Sequence, residues 1–267
     1  MKESREQRRK RILERAKEGL TEAYSSSDHS ISQAINAYKE IEKMKGLVFE
    51  RLEEWYSIYF PEIRIGSHEA YSRIIMSIGK RSDASEQLLT DLIGDKGKKV
   101  YEAMQSSYAK RDMEEKEYKA VKELAGMELQ LDDIEAKLDS YLENEVKRTM
   151  PNIAYLIDYR IAAELLGKAG SLQRLATMPS GTVQLLGAEK ALFKHIKFGS
   201  KPPKYGVLFK LSAVTNAARG KRGRIARAYA TKICIAARAD AFSKRFIADK
   251  LKEQLDKTVE AINKEKQ

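Results

Sequence analysis

Residues 31–59 read ISQAINAYKEIEKMKGLVFERLEEWYSIY, and the spacing within this stretch decides the fold. Ile31, Ala34, Tyr38, Ile41, Lys45, Val48, Leu52, Trp55 and Tyr59 step by alternating threes and fours, and all but Lys45 are apolar. That is the seam of a coiled-coil helix about four heptads long. Ser27 or Asp28 is placed to cap its start. Farther on, Leu124, Met127, Leu131, Ile134, Leu138 and Tyr141 repeat the spacing, with Asp132, Asp133, Glu135 and Asp139 on the outer positions. No proline precedes Pro61 or falls between Pro61 and Pro151, so long helices are permitted throughout.

Two such helices pair antiparallel when the segment between them folds back as a helical tip. That segment, residues 62–120, holds three periodic pieces, His68–Ile78, Ser85–Ile93 and Lys98–Tyr108, divided by Gly66, Gly79, Gly94 and Gly97. Residues 27–149 are therefore expected to form a long antiparallel coiled-coil stalk with a helical tip, although a compact helical bundle fits the same periodicity. Residues 1–26 read as a basic helix or tail. After Pro151 the apolar blocks shorten, and Pro202 and Pro203 exclude helix from the loop 198–206. A last helical stretch runs from Lys221 through Ile247 and past Leu255. Residues 150–262 are thus a second compact helical domain, and the fold class is all-α.

With 33% charged residues, five prolines and one cysteine in 267 residues, the composition is that of a folded helical chain and not of a disulfide scaffold. No apolar run approaches the roughly 18 residues of a membrane span. The basic start, MKESREQRRKRILERAKEG, has no apolar core or cleavage site behind it, so a soluble protein without a secretory signal is expected. The charge is unevenly placed. Residues 1–149 carry 27 Lys and Arg against 30 Asp and Glu, whereas residues 150–267 carry 23 against 9. The second part is built to meet a polyanion, a nucleic acid ahead of an anionic membrane surface.

Catalytic chemistry has no footing. His29, His68 and His195 lack ligand-spaced partners, and Cys234 sits in an apolar helical context. Neither the Walker nor the Rossmann glycine pattern occurs, and pairs such as Glu114 with Glu115 read as a solvated helix face. A non-enzymatic protein with no cofactor or metal is expected. Two cationic clusters carry the binding argument. Lys190, Lys194, Lys197, Lys201 and Lys204 are interleaved with Phe193, Phe198 and Tyr205. Arg219, Lys221, Arg222, Arg224 and Arg227 open the next helix, where positive side chains oppose the macrodipole and a bound anion would relieve them.

The stretches Ala169–Pro179, Thr182–Lys194 and Pro203–Gly206, with Arg224–Ala228, Ile235–Asp240 and Glu54–Glu62, closely resemble the signature of the Nop domain across residues 27–255. The match is nearest to archaeal Nop-type core proteins of box C/D ribonucleoproteins, with the spliceosomal Nop-domain splicing factor a more distant relative. The resemblance implies an RNA-binding assembly protein that grips kink-turn RNA already bound by a small kink-turn-binding protein. Carried over by motif, Thr182 and Gln184 would approach the RNA. Gly187, Ala188, Glu189 and Lys190 would form the composite RNA and protein contact, and Arg224 and Arg227 would touch phosphates. Lys194 stands where arginine is expected, keeping charge but not bidentate geometry. The resemblance also implies a homodimer through the coiled coil.

Those archaeal proteins carry an N-terminal α/β domain that holds the fibrillarin methyltransferase, and this chain has only a basic, helix-prone stretch of about 25 residues before its first seam. Recruitment of fibrillarin is therefore doubtful on sequence alone. A scaffold subunit of a 2′-O-methyltransferase particle and a generic basic coiled-coil RNA-binding module stand as alternatives. The expected location is the cytoplasm of an archaeal cell or the nucleus of a eukaryotic one.

Overall fold

A computed structural model describes residues 4–25, 27–109 and 111–265. Residues 1–3 and 26 of the expected basic segment lie outside the described residues. In chain order the helices are α1 (Arg5–Ser25), α2 (Asp28–Tyr56), α3 (His68–Ile78), α4 (Glu86–Ile93), α5 (Lys96–Gln105), α6 (Glu115–Thr149) and α7 (Pro151–Leu156). They continue as α8 (Tyr159–Ala169), α9 (Leu172–Thr177), α10 (Ser180–Leu185), α11 (Glu189–Phe198), α12 (Ser212–Thr215), α13 (Arg222–Arg238) and α14 (Ala248–Lys264). No strand occurs among the described residues, and the fold is all-α. The chain divides into two compact units, residues 37–139 and residues 1–36 with 140–267. The stretches 27–36 and 140–149, read with the coiled coil from their heptads, cluster with the second of these.

Helices α2 and α6 run antiparallel, because their contacts climb one helix as they descend the other. The Arg148 guanidinium donates to Ser27 Oγ, Lys45 pairs with Asp132 and Glu135, and the Tyr59 hydroxyl donates to Glu117. The first seam is correctly phased: Ile31, Ala34, Leu52 and Tyr59 are buried and its remaining members are half-buried. The second seam is displaced. Met127, Ile134 and Tyr141 are exposed, while Val121, Ala125, Glu128, Leu131, Leu142 and Val146 are buried. The cause is Lys45, whose ammonium calls for carboxylates on the facing helix, so the inward stripe of α6 contains acids that an apolar count passes over. Burial alone would lower the Lys45 ammonium, but its hydrogen bonds and charge contacts with Asp132 and Glu135 outweigh that and hold it raised.

In the unit 37–139, Ser67 and Ser85 cap α3 and α4 as side-chain acceptors, so two of the three expected pieces start where their polar residues dictate. Gly97 does not divide helices as expected. It lies in the first turn of α5, and a Cβ there would stand 2.4 Å from the Leu89 backbone, so it permits α4 and α5 to touch. Tyr56 and Tyr71 meet edge to face at 6.1 Å in the core below, and the Tyr56 hydroxyl donates to the Gly79 carbonyl.

In the other unit the expected single C-terminal helix is broken in two. After α13 the chain widens into a π-helical turn, Ala239–Ser243, and Lys244 takes a left-handed φ of 56° before α14 begins. A buried polar network sets that break. Asp240 accepts from the backbone N–H groups of Asn152 and Ile153 and from the Asn152 amide, which also donates to the Arg245 carbonyl and accepts from Ile247 N–H. Cys234 is buried as expected, and burial pushes its thiol up.

Glu128 is the exception in an otherwise paired helix interface. Its side chain is 0% exposed, His68 Nδ1 lies 3.3 Å away, and neither carboxylate oxygen has a hydrogen-bond partner among the described residues. Burial pushes its carboxyl up, the charge of His68 pulls it down, and Asp132 and Lys45 act in opposite senses. A carboxyl raised in the folded state stabilises the fold below its unfolded pKa of about 4.3 and loses that contribution as pH rises through the folded value. Glu128→Gln is therefore expected to raise stability by about 1 kcal/mol at pH 7.5. Urea unfolding near pH 4 is expected to show no gain, and a variant less stable than the parent at pH 7.5 would contradict this account.

Candidate nucleic-acid interface

The expected RNA-facing residues fall on four segments of one unit: α10, the turn and helix that follow it, the loop 199–206, and the residues that open α13. Pro179 precedes α10 and Gly187 ends the turn after it at φ 87°. A Cβ at Gly187 would also stand 2.7 Å from Val207 Cγ2, so only glycine fits. The Gly187 N–H donates to Glu189 Oε1 at 2.7 Å, which holds the Glu189 carboxyl below its ordinary value and locks the start of α11. An acid at that position also suits the helix macrodipole.

No residue of α11 is buried. Lys190, Lys194 and Lys197 are exposed as expected, and so are Phe193 at 65%, Ile196 at 73% and Phe198 at 68%. Half-buried Leu192 and His195 attach the helix, the imidazole Nδ1 meeting the Ser200 carbonyl. Sequence reading took the phenylalanines as interleaved aromatics and passed over Ile196. Spacing marks only Phe198 as outlying: Leu192, Phe193 and Ile196 fall within one arc of about 100°, a stripe that periodicity alone would bury.

Gln184 is placed differently from the expectation. It is 6% exposed, so it holds the site together and does not face outward. Its amide donates to the carbonyls of Lys204, at 2.6 Å, and Gly223, while its oxygen accepts from Arg227 Nε. One side chain thereby ties α10 to the loop 199–206 and to α13. The loop is fastened again by Gly206 N–H to the Gln184 carbonyl and Val207 N–H to the Leu186 carbonyl. Thr182 is exposed on α10, and Lys201 and Lys204 are exposed on the loop. Between them lies a mainly apolar depression of 440 Å³, lined by Leu185, Leu186, Leu192, Pro203 and Arg227.

The second cationic cluster divides. Arg219, Arg224 and Arg227 are exposed, whereas Lys221 and Arg222 are half-buried and engaged with carbonyls. Arg222 donates to Ala217 and Thr215 and lies over Phe209, which Tyr205 stacks at 4.7 Å. Lys221 donates to the carbonyls of Asn263 and Glu265 at the end of α14. Arg224 grips the Glu265 carboxylate with both terminal nitrogens, and this pair holds the acid down. The anion expected to relieve the start of α13 is thus supplied in part by the chain itself.

Fold and site together define an all-helical protein with a face that mixes cations and exposed apolar side chains. The family model described as "Nop: snoRNA binding domain, fibrillarin" matches residues 37–261. The chain belongs to the Nop family. It is 38% identical over 240 residues to a NOP5 family protein of Methanocaldococcus jannaschii, covering 89% of this chain and 58% of that one. Nucleolar protein 56 of Dictyostelium discoideum is 35% identical, with 86% of this chain and 46% of the relative covered. Nucleolar protein 58 of Schizosaccharomyces pombe is 34% identical, covering 81% and 43%. The chain therefore spans about half the length of these relatives. Among solved structures, a fibrillarin/Nop5p complex contains a similar fold, with a TM-score of 0.52 at 19% identity over 94% of this chain and 78% of that one.

A Cβ on Gly206 would fall 1.9 Å from the Leu186 carbonyl oxygen, whereas one on Gly223 would meet only the Lys204 side chain, at 3.4 Å. Gly206→Ala is expected to cost 2–3 kcal/mol, roughly the upper range for forced overpacking, and to expose the Val207 amide to hydrogen exchange. Gly223→Ala should be tolerated. Equal melting curves for the two variants would show that the loop is not fastened in this way.

Proposed function

We propose that this chain is a non-catalytic RNA-binding assembly protein of box C/D-type ribonucleoproteins, whose Nop domain recognises kink-turn RNA already carrying a small kink-turn-binding protein. The observation that carries this reading is α11, where three exposed lysines and three exposed apolar side chains share one weakly anchored helix. Cations alone would serve RNA. Phe193 and Ile196 at such exposure call for a protein surface as well, and together the two ask for a composite partner. In this reading Lys190, Lys194, Lys201, Lys204, Arg219, Arg224 and Arg227 meet phosphates, with Thr182 beside them. Gly187, Ala188 and Glu189 shape the turn, and Gln184, Lys221 and Arg222 position it. Such a protein works in the nucleus of a eukaryote or the cytoplasm of an archaeon.

Fibrillarin belongs among the candidate partners. The doubt raised by the short N-terminal segment gains no support from the comparisons, since the matching family is described by that name. A scaffold role in a methyltransferase particle is therefore a second reading, separated from the first by pull-down with fibrillarin.

A gel shift tests the main reading. Kink-turn RNA pre-bound by its small protein is expected to supershift with this chain, and a straight duplex is not. Arg224→Ala with Arg227→Ala should weaken binding and flatten the log–log salt dependence by about two. Equal binding to every RNA would replace this reading with a generic basic module.

The homodimer reading has its own support in residues 37–139. Met44, Leu47, Met127 and Ile134 are exposed on α2 and α6, in the heptad spacing of a coiled-coil face. Leu47→Glu with Ile134→Glu is expected to sediment as a monomer where the parent sediments as a dimer. A parent that is itself monomeric would end this reading.

A further inference from the structure

Away from the face just described, three aromatic side chains stand in solvent where the C-terminal helix is broken. Tyr155 on α7 is 52% exposed, Phe246 is 54% and Phe242 on the π-helical turn is 60%. Tyr155 and Phe246 meet edge to face at 5.6 Å and 86°, an arrangement that keeps both rings erect. Their backbones are fixed from beneath by Asn152 and Asp240, both buried. The Tyr155 hydroxyl hydrogen-bonds Asp249, the carboxylate at the edge of the group. Rings this exposed bury little of their surface in the fold, yet the backbone that carries them is held by a buried network.

From these rings and their setting, the geometry points to a stacking platform for unpaired RNA nucleotides. The sequence interleaves the rings with charge, Phe242-Ser-Lys-Arg-Phe246 followed by Lys250, and Arg245 and Lys250 are exposed. Aromatic faces beside cations are the chemistry by which single-stranded nucleic acid is held without sequence preference, ring on base and cation on phosphate. The platform is also continuous with the cationic start of α13. Arg224, Arg227, Thr231, Ile235, Arg238 and Phe242 follow one another by threes and fours, and every one is exposed. This is a single solvent face, about 21 Å from Arg224 to Arg238 at 1.5 Å per residue, with cations at both ends and the aromatics just beyond. A strand leaving the composite interface along α13 arrives at the rings. The choice of RNA as occupant rests on the proposed function, whereas the platform itself rests on its own residues.

The test uses the intact chain with a fluorescent 12-nucleotide oligouridine, oligoadenosine and a 12-base-pair RNA duplex, none of which contains a kink-turn. Anisotropy titrations compare the parent with Tyr155→Leu plus Phe246→Leu, which keep apolar bulk but lose the rings. The double variant is expected to bind the single strands at least tenfold more weakly, within the roughly 1–3 kcal/mol per base of aromatic stacking. Duplex binding and the salt slope should be unchanged, because no phosphate contact is removed. Phe246→Trp should restore or exceed parental affinity. Leucine variants that bind single strands as tightly as the parent would overturn the proposal, as would equal losses for strand and duplex. Because the kink-turn supershift is measured on a different RNA, either reading can fail while the other stands.

Discussion

The amide of Gln184 joins its own helix, α10, to the loop 199–206 and to α13. Its nitrogen serves the carbonyls of Lys204 and Gly223, and its oxygen accepts from Arg227. The loop it holds contains Pro202 and Pro203, which cannot donate, so the loop's carbonyls need outside donors if they are to be covered. Gln184 and the paired backbone bonds at Gly206 and Val207 supply the fastening. Removal of that amide would take a partner from three polar groups at once, a larger loss than one hydrogen bond suggests. Two of the exposed cations owe their positions to this buried side chain, since Arg227 is aimed by it and Lys204 is carried on the loop it grips.

A second buried polar group does similar work at the other end of α13. Asp240 accepts three hydrogen bonds from the start of α7, which no uninterrupted α-helix through residue 243 would have to accommodate. Burial still raises its carboxyl, and the hydrogen bonds from Asn152 and Ile153 offset that. The helix widens to deliver the side chain, and Lys244 takes a left-handed turn to let α14 return. The return brings Glu265 onto Arg224 and the last carbonyls of α14 onto Lys221. Both cations would otherwise stand uncompensated at a helix start.

The sequence was legible where one physical rule acted alone. The first coiled-coil seam, the extents of α3 and α4 and the burial of Cys234 follow from periodicity and apolar context. It was misleading where two rules competed. On α6 the apolar residues Met127 and Ile134 keep perfect heptad spacing, yet the inward stripe is set by the acids that answer Lys45. The break at residue 244 was hidden because its cause, Asn152, lies some ninety positions upstream. The candidate site was read as a list of outward-facing residues. The structure separates those that are exposed, such as Lys190 and Arg227, from those that hold them, such as Gln184 and Arg222. Spacing gives no sign of that division, because a glutamine facing solvent and one spanning three segments occupy the same place in the motif.

What unites the two units is the use of apolar surface that folding does not consume. Along α2 and α6 the exposed side chains follow a heptad, and along α11 they are scattered among lysines. The first pattern suits a uniform helical partner. The second suits a surface in which charge and apolar contact alternate over a few ångströms, since regular spacing would serve only another helix. α11 buries none of its own residues and is fixed chiefly by the Gly187–Glu189 turn and by His195. A helix so lightly packed gains little from the rest of the domain, so most of the stabilisation open to it lies in what it binds. The exposed residues on α11 are thus the counterpart of the rigid turn before it, which fixes where the helix starts and leaves its faces to the partner.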